Sequence, residues 1–165
     1  MDLDTLNTLP SGQFLEAIGG PLEGETWLAA RVVQRRPFAD RDALIAAFAD
    51  AIGAASADEK IRLLESHPEL AVKVDRELSS ASQREQASAG LDRLTPDEHD
   101  EFKLQNQAYR ARFGFPFVIC ARENTKHSIL AAFRQRLTHT REAEIENGAH
   151  EVFKILRLRL IDLIS

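Results

Sequence analysis

The chain has 165 residues, of which 44% are hydrophobic, and this is enough for one domain with a core but short for two. Its net charge of −5 at pH 7 argues against a nucleic-acid partner, because phosphate binding needs a basic face. No apolar run reaches the roughly 20 residues of a membrane-spanning helix, so no membrane partner is expected and a small-molecule partner is favoured.

The predicted fold class is all-α: a single-domain bundle of about eight helices over residues 1–165. Apolar residues recur at helical spacing, start and stop signals separate the stretches, and no strand pairs or internal repeats are evident. In chain order, the predicted helices cover residues 11–18, 25–34, 40–52, 56–66, 82–90 and 96–113, with two more beginning at Thr125 and Thr140.

The stretch HPELA lies at the end of the fourth predicted helix. Proline disfavours the α region for the residue before it and is well placed at the start of a helix. We therefore expect His67 to end one helix as a presented side chain and Pro68 to open the next. A histidine that only caps a helix C-terminus, where the helix dipole favours its charge, is the alternative.

The next helix begins in the polar stretch SSASQREQASAG, residues 79–90. Ser82 followed three residues later by Glu85 predicts a capping box, which would explain both residues without any ligand. Gln86 next to them fits a solvated helix face. Near the end of the chain, Arg159 in ILRLRLIDLI fits the edge of an amphipathic helix with a snorkelling guanidinium.

One stretch breaks the helical pattern. FGFPFVICA, residues 113–121, is an apolar run with an internal glycine and proline, so we expect it to be extended and buried. A connection that crosses the core is one interpretation. The other starts from its backbone N–H and C=O groups, which need partners when buried and could find them in a planar polar ring ligand.

Four motifs in this order carry a resemblance: HPELA at 67–71, SxxEQ at 82–86, FxxxNxxY at 102–109 and KIxxxRL at 154–160. Together they make the chain similar to the OHCU decarboxylases, which act on 2-oxo-4-hydroxy-4-carboxy-5-ureidoimidazoline (OHCU) in urate breakdown. The resemblance runs from about Ile61 to Leu163. It implies an all-helical homodimer that converts OHCU to (S)-allantoin and CO2 with neither a metal nor an organic cofactor.

The resemblance also implies the site residues. His67 would be the general acid and Glu85 its catalytic partner. The implied substrate-binding residues are Pro68, Ser82, Gln86, the backbone of Phe117, Val118, Ile119 and Ala121, and Arg159 for the carboxylate. The residue chemistry is consistent with this, because histidine titrates near neutral pH and the five histidines lack HExxH or any comparable metal-ligand spacing.

Two alternatives belong to other classes of function: a helical interaction module without chemistry, and an enzyme acting on a neighbouring ureido compound of purine catabolism. For location, the only cysteine, Cys120, cannot form an internal disulfide, and no signal peptide is visible. The sequence therefore predicts a cytoplasmic protein.

Overall fold

A computed structural model describes residues 1–71 and 78–165. Within these residues the chain forms nine α-helices and no β-strand, which confirms the all-α prediction. The helices are α1 Leu3–Thr8, α2 Ser11–Gly19, α3 Thr26–Val32, α4 Arg41–Gly53, α5 Ala57–Ser66, α6 Ser80–Ser88, α7 Pro96–Phe113, α8 Lys126–Arg136 and α9 Arg141–Leu163. Short 3-10 turns cover Val33–Arg35 and Ala121–Glu123.

Several helix starts follow the predicted capping chemistry. Thr95 caps α7 with Pro96 at its first position, and Glu98 completes a capping box. Thr125 caps α8, and the Thr140 hydroxyl accepts a hydrogen bond from the N–H of Ala143 at the start of α9. The short helix α1, whose N-cap is Asp2, was not predicted. None of the helices in the described ranges is both long and apolar enough to cross a membrane.

The chain divides into two compact units, residues 1–60 with 153–165 and residues 61–152. In the first unit α3 packs against α2 and α4, and fully buried side chains such as Phe14, Leu28 and Phe48 form its core. The single domain predicted for residues 1–165 stays a prediction.

The second unit, residues 61–152, has an aromatic core. Tyr109 on α7 lies among Phe113, Phe117 and Phe133, with ring centroids 4.6, 5.3 and 6.4 Å away. The rings of Phe117 and Phe133 stack at 3.7 Å. Since burying one such ring contributes about 1.5–3 kcal/mol, this cluster is a main source of stability for the unit.

Helix α9 approaches α5 closely at Gly148. A Cβ atom at this position would lie 2.6 Å from a methyl carbon of Leu64, which is fully buried on α5. Glycine therefore allows the contact between the two helices, and this contact supports the last turn of α5, two residues before its C-terminal end at Ser66.

Candidate active site

His67 directly follows the last residue of α5, as the sequence predicts. Its N–H donates a hydrogen bond to the carbonyl of Leu64 at 3.2 Å. Its exposed fraction is only 8%, so the side chain does not lie on the open surface, and its presentation to a ligand stays a prediction. Pro68 does not open a helix, because residues 68–71 are non-helical, while residues 72–77 lie outside the described part.

The HPELA turn is held from two helices of the same unit. The Asn106 side chain on α7 donates to the carbonyl of Leu70 at 2.9 Å, and the Gln86 side-chain oxygen on α6 accepts from the N–H of Ala71 at 3.2 Å. Ala71 has a φ of 58°, a left-handed conformation that an alanine rarely adopts unless its surroundings impose it. These contacts fix the backbone that follows His67.

The N-cap of helix α6 lies three residues before the predicted cap, Ser82. Ser79 is the N-cap, and its hydroxyl accepts from the N–H of Ser82 at 3.1 Å. The capping box predicted for Ser82 and Glu85 was therefore wrong: Ser82 is the third residue of the helix and Glu85 the sixth. Ser82 is buried and Glu85 is half-buried. A capping box therefore does not account for these two residues.

The buried segment between α7 and the turn Ala121–Glu123 is non-helical, as predicted, although its bounds are narrower than 113–121. Helix α7 includes Phe113 and ends at Gly114, whose φ of 82° favours glycine. Phe115 and the residues from Phe117 to Ala121 are each at most 7% exposed. Only the two ends of the predicted segment, Phe113 and Ala121, belong to helical elements.

Protein groups bond the backbone of this segment on both sides of Ile119. The carbonyl of Val118 accepts from the Arg136 guanidinium at 2.8 Å, and the N–H of Cys120 donates to the Glu151 carboxylate at 3.1 Å. In the part of the chain that the structure describes, no protein group bonds the N–H or C=O of Ile119, which is 7% exposed. Backbone groups in buried segments of native proteins usually have hydrogen-bond partners, so those of Ile119 are candidates for a ligand.

Three of the predicted site regions meet within residues 61–152. The Ala71–Gln86 bond joins the HPELA turn to α6, and α6 packs against the turn Ala121–Glu123. Burial is the main reason that the pKa of the Cys120 thiol is raised to about 11, and the charge of Glu85 contributes to the rise. Glu85 therefore lies close enough to the segment to act on it electrostatically.

Arg159 belongs to the other unit. Its exposed fraction is 6%, and its Nη1 atom donates to the Glu23 carboxylate at 2.9 Å and to the carbonyl of Pro21 at 3.3 Å. The alternative explanation, a snorkelling guanidinium at the edge of an amphipathic helix, does not hold, because the Arg159 side chain is buried and paired. Its predicted role at a substrate carboxylate stays a prediction.

Two charged residues near the segment were missed by the sequence reasoning. Arg136 bonds the Val118 carbonyl, and Glu144 accepts from the Nε atom of Arg136 at 2.7 Å. Their exposed fractions are 7% and 0%. The available signal was a charge on an apolar helix face: Arg136 follows Ile129 and Phe133 at helical spacing, and Glu144 precedes Gly148 in the same way.

Among the described residues, no group of three or more histidine, cysteine, aspartate or glutamate side chains could hold a metal ion. The Tyr109 hydroxyl and the His139 ring instead converge with Arg136 on the single carboxylate of Glu144. The predicted independence from cofactors stays a prediction.

Comparison with known proteins gives a consistent result. The family model for OHCU decarboxylase matches residues 7–161. The 2-oxo-4-hydroxy-4-carboxy-5-ureidoimidazoline decarboxylase of Halalkalicoccus jeotgali is 36% identical over 163 residues, covering 99% of this chain and 92% of the relative. The enzyme of the same name from Xenopus laevis is also 36% identical, with coverages of 99% and 94%.

Among solved structures, an (S)-allantoin synthase superposes with a TM-score of 0.79 at 30% identity. The match covers 99% of this chain, and the chain spans about half, 54%, of that longer protein. The family model and the two full-length relatives agree on one assignment: the chain belongs to the OHCU decarboxylase family.

Proposed function

We propose that this protein decarboxylates OHCU to (S)-allantoin and CO2, and that residues 67–71, α6 and residues 117–121 form most of its active site. The family membership and the names of the full-length relatives support the reaction. The observation that carries the site is Ile119, a residue only 7% exposed, whose N–H and C=O bond no protein group among the described residues.

A planar cyclic amide suits these two groups. One residue of an extended backbone presents a donor and an acceptor on the same edge, and a ring N–H next to a C=O can pair with both. OHCU carries such groups in its imidazoline ring and its ureido chain. The Val118 carbonyl and the Cys120 N–H bond protein groups, and Ile119 between them offers both its N–H and its C=O to the ring in this proposal.

The chemistry needs one acid and no external electron sink. The bond between the ring carbon and its carboxylate breaks, the electron pair moves into the adjacent ring C=N system, and CO2 leaves. The electron-rich carbon that results is then protonated on one face. A histidine titrates near neutral pH, so His67 is the proton donor in this proposal, and Glu85 orients its imidazole or stabilises its charged form.

Gln86 has a defined orientation in this proposal. Its side-chain oxygen accepts from the N–H of Ala71, so its amide nitrogen is available to donate. Gln86 therefore recognises a carbonyl of the substrate, in the ring or in the ureido group. Ser82 supplies a further hydroxyl on the same helix, and Pro68 restricts the backbone that carries His67.

The role of Arg159 at the substrate carboxylate rests on the resemblance alone. A guanidinium suits a carboxylate because its planar fork can make two parallel bonds. The ion pair with Glu23 uses one nitrogen of this guanidinium, Nη1. We also propose a cytoplasmic homodimer: the location follows from the free, buried Cys120, and the dimer follows from the resemblance.

The test is to add the purified protein to freshly generated OHCU and to follow both its decay and the circular dichroism of the product. Protonation by solvent can occur on either face, so the uncatalysed product is expected to be racemic. We expect faster decay and optically active (S)-allantoin with the protein present. Decay at the buffer rate with a racemic product would favour a helical interaction module and would contradict the proposal.

A further inference from the structure

The proposed function leaves one buried charge cluster of the second unit unused. Glu144, which is fully buried, accepts hydrogen bonds from the Tyr109 hydroxyl at 2.7 Å, from Arg136 Nε at 2.7 Å and from the Asn147 amide at 2.8 Å. The His139 ring lies 2.9 Å from its other oxygen. Four side chains thus converge on one carboxylate in the protein interior.

Stability alone is a weak explanation for such a cluster. Desolvation of a buried ion pair offsets much of its attraction, and well-packed apolar residues often replace one without loss of stability. Tyr109 also belongs to the FxxxNxxY motif, to which the proposed function assigns no role. The contacts that Arg136 makes outside the cluster indicate a further role.

Arg136 contacts the proposed substrate-binding segment in two ways. Its Nη1 atom donates to the carbonyl of Val118 at 2.8 Å, and its guanidinium carbon lies 4.3 Å from the centroid of the Phe117 ring. The Nε bond to Glu144 fixes the plane of the guanidinium, and this fixes the direction in which Nη1 points. The orientation of the Val118 carbonyl is therefore set by Glu144 through Arg136.

The orientation of Val118 determines where the neighbouring backbone groups point. Val118 and Ile119 share a peptide plane, so the Val118 carbonyl and the Ile119 N–H are rigidly coupled. Glu151 holds the N–H of Cys120 on the other side of Ile119. The backbone of Ile119 is thus held from both flanks while its own donor and acceptor stay unused by the described protein groups.

We propose that Arg136 is a positioning residue for substrate binding, which aims the Ile119 backbone at the substrate ring by holding the Val118 carbonyl. Glu144 and Tyr109 act through Arg136 by fixing its guanidinium. This inference rests on the proposed function of the Ile119 backbone. It assigns the buried cluster to substrate affinity, whereas a core ion pair would affect only folding.

The reactivity of the Cys120 thiol provides a test of this proposal. It is the only cysteine of the chain, it is 1% exposed, and it lies two residues after Val118. A thiol reagent can reach it only when the segment opens. The rate of Cys120 modification under native conditions therefore measures how firmly residues 117–121 are held, without any substrate present.

The main variant is Arg136→Lys, which keeps the charge but cannot bond Glu144 and Val118 through one planar fork. We expect KM to rise about tenfold with kcat changing less than about threefold, as for loss of uniform binding. Cys120 modification should accelerate by a similar factor of about ten. The matched control is Arg134→Lys on the same helix, whose side chain is 64% exposed, and it should change neither quantity.

If Arg136→Lys does not fold, Tyr109→Phe gives the decision. It removes only the hydroxyl that donates to Glu144 and keeps the ring in the aromatic core, so we expect shifts of about twofold to threefold in the same directions. Wild-type KM and wild-type Cys120 reactivity per folded molecule would overturn the proposal. Failure of the wild-type protein to act on OHCU would instead overturn the proposed function, and Cys120 modification would still show whether Arg136 holds the segment.

Discussion

Two polar regions of the second unit differ in how their hydrogen-bonding groups are used. Around Glu144, side chains from three helices bond one another in the interior, and within the described residues only Arg136 Nη2 lacks a partner there. Between α6 and residues 117–121, the Ile119 backbone and the Gln86 amide nitrogen have no partner from the described protein groups. In the first region most of the buried polar groups are satisfied by one another, whereas in the proposed function a polar substrate satisfies those of the second.

The difference indicates how the two kinds of buried polar group can be told apart. A cluster whose groups satisfy one another fixes the structure, whereas unsatisfied groups beside a titratable residue indicate a binding site. His67 and Glu85 lie in elements that adjoin the unsatisfied groups. The largest predicted effects on turnover therefore belong to that region.

The largest effect is expected for His67→Asn. Asparagine keeps a polar side chain but cannot act as an acid near neutral pH, so turnover should fall by about 10²- to 10⁴-fold. The residual product should be racemic, because solvent then supplies the proton. Circular dichroism of the product measures this directly, with His150→Asn at an exposed position of α9 as the control. Production of (S)-allantoin at close to the normal rate would move the proton donor elsewhere.

Glu85→Gln should also reduce turnover by orders of magnitude, since it removes the charge at nearly constant size. Glu85 does not form a capping box in the structure, so little change in thermal stability is expected. The control is Ser79→Ala, which removes the observed cap and should cost about 1 kcal/mol of stability with a smaller effect on turnover. Loss of stability without loss of turnover per folded molecule in Glu85→Gln would make Glu85 a structural residue.

Local rules in the sequence were sufficient for eight of the nine described helices, all but α1, and not for every cap. Thr95, Pro96 and Gly114 mark the ends of α7 because each acts on its own backbone or on that of a residue within one turn. In SSASQREQ, three serines offer competing caps, and S-x-x-E pointed to Ser82. The choice of Ser79 depends on where the chain enters α6, which local spacing does not determine.

Local motifs in the sequence indicated some residues of the candidate site. Contacts between residues far apart in the sequence could not be predicted in this way. The residues of HPELA and SxxEQ came from local patterns, and the non-helical segment came from its glycine and proline. The bond from Arg136 to Val118 spans 18 residues, and the bond from Tyr109 to Glu144 spans 35. Only tertiary packing brings such groups together. The burial of His67, likewise, depends on packing and not on the proline that follows it.

A smaller effect is expected for Arg159→Lys, in the other unit. Lysine keeps the charge but loses the fork, so a carboxylate ligand should bind more weakly by about 1–3 kcal/mol, measured as a rise in KM. Glu23→Gln is the informative partner variant, because it removes the negative charge that pairs with Arg159. If both variants lose only stability, Arg159 is a structural partner of Glu23 and the site does not use it.

The smallest effect concerns Glu98, a carboxylate outside both regions. Its side chain accepts from the N–H of Thr95 at 3.0 Å and from Lys126 at 2.9 Å, and these bonds lower its pKa from 4.5 to about 2. The unfolded chain therefore binds more protons than the folded chain in this range. The stability that Glu98 contributes is present above pH 4.5 and is lost as the pH falls towards 2.

Glu98→Gln can still accept the capping bond but does not titrate. Proton uptake on unfolding between pH 4.5 and about 2 should therefore fall by up to about one proton, read from urea unfolding at a series of pH values. Turnover at neutral pH should stay at the wild-type value, because the bonds that Glu98 makes among the described residues are to the start of α7 and to Lys126. An unchanged acid slope would mean that Glu98 titrates alike in both states. A loss of turnover would mean that the start of α7 affects the proposed site.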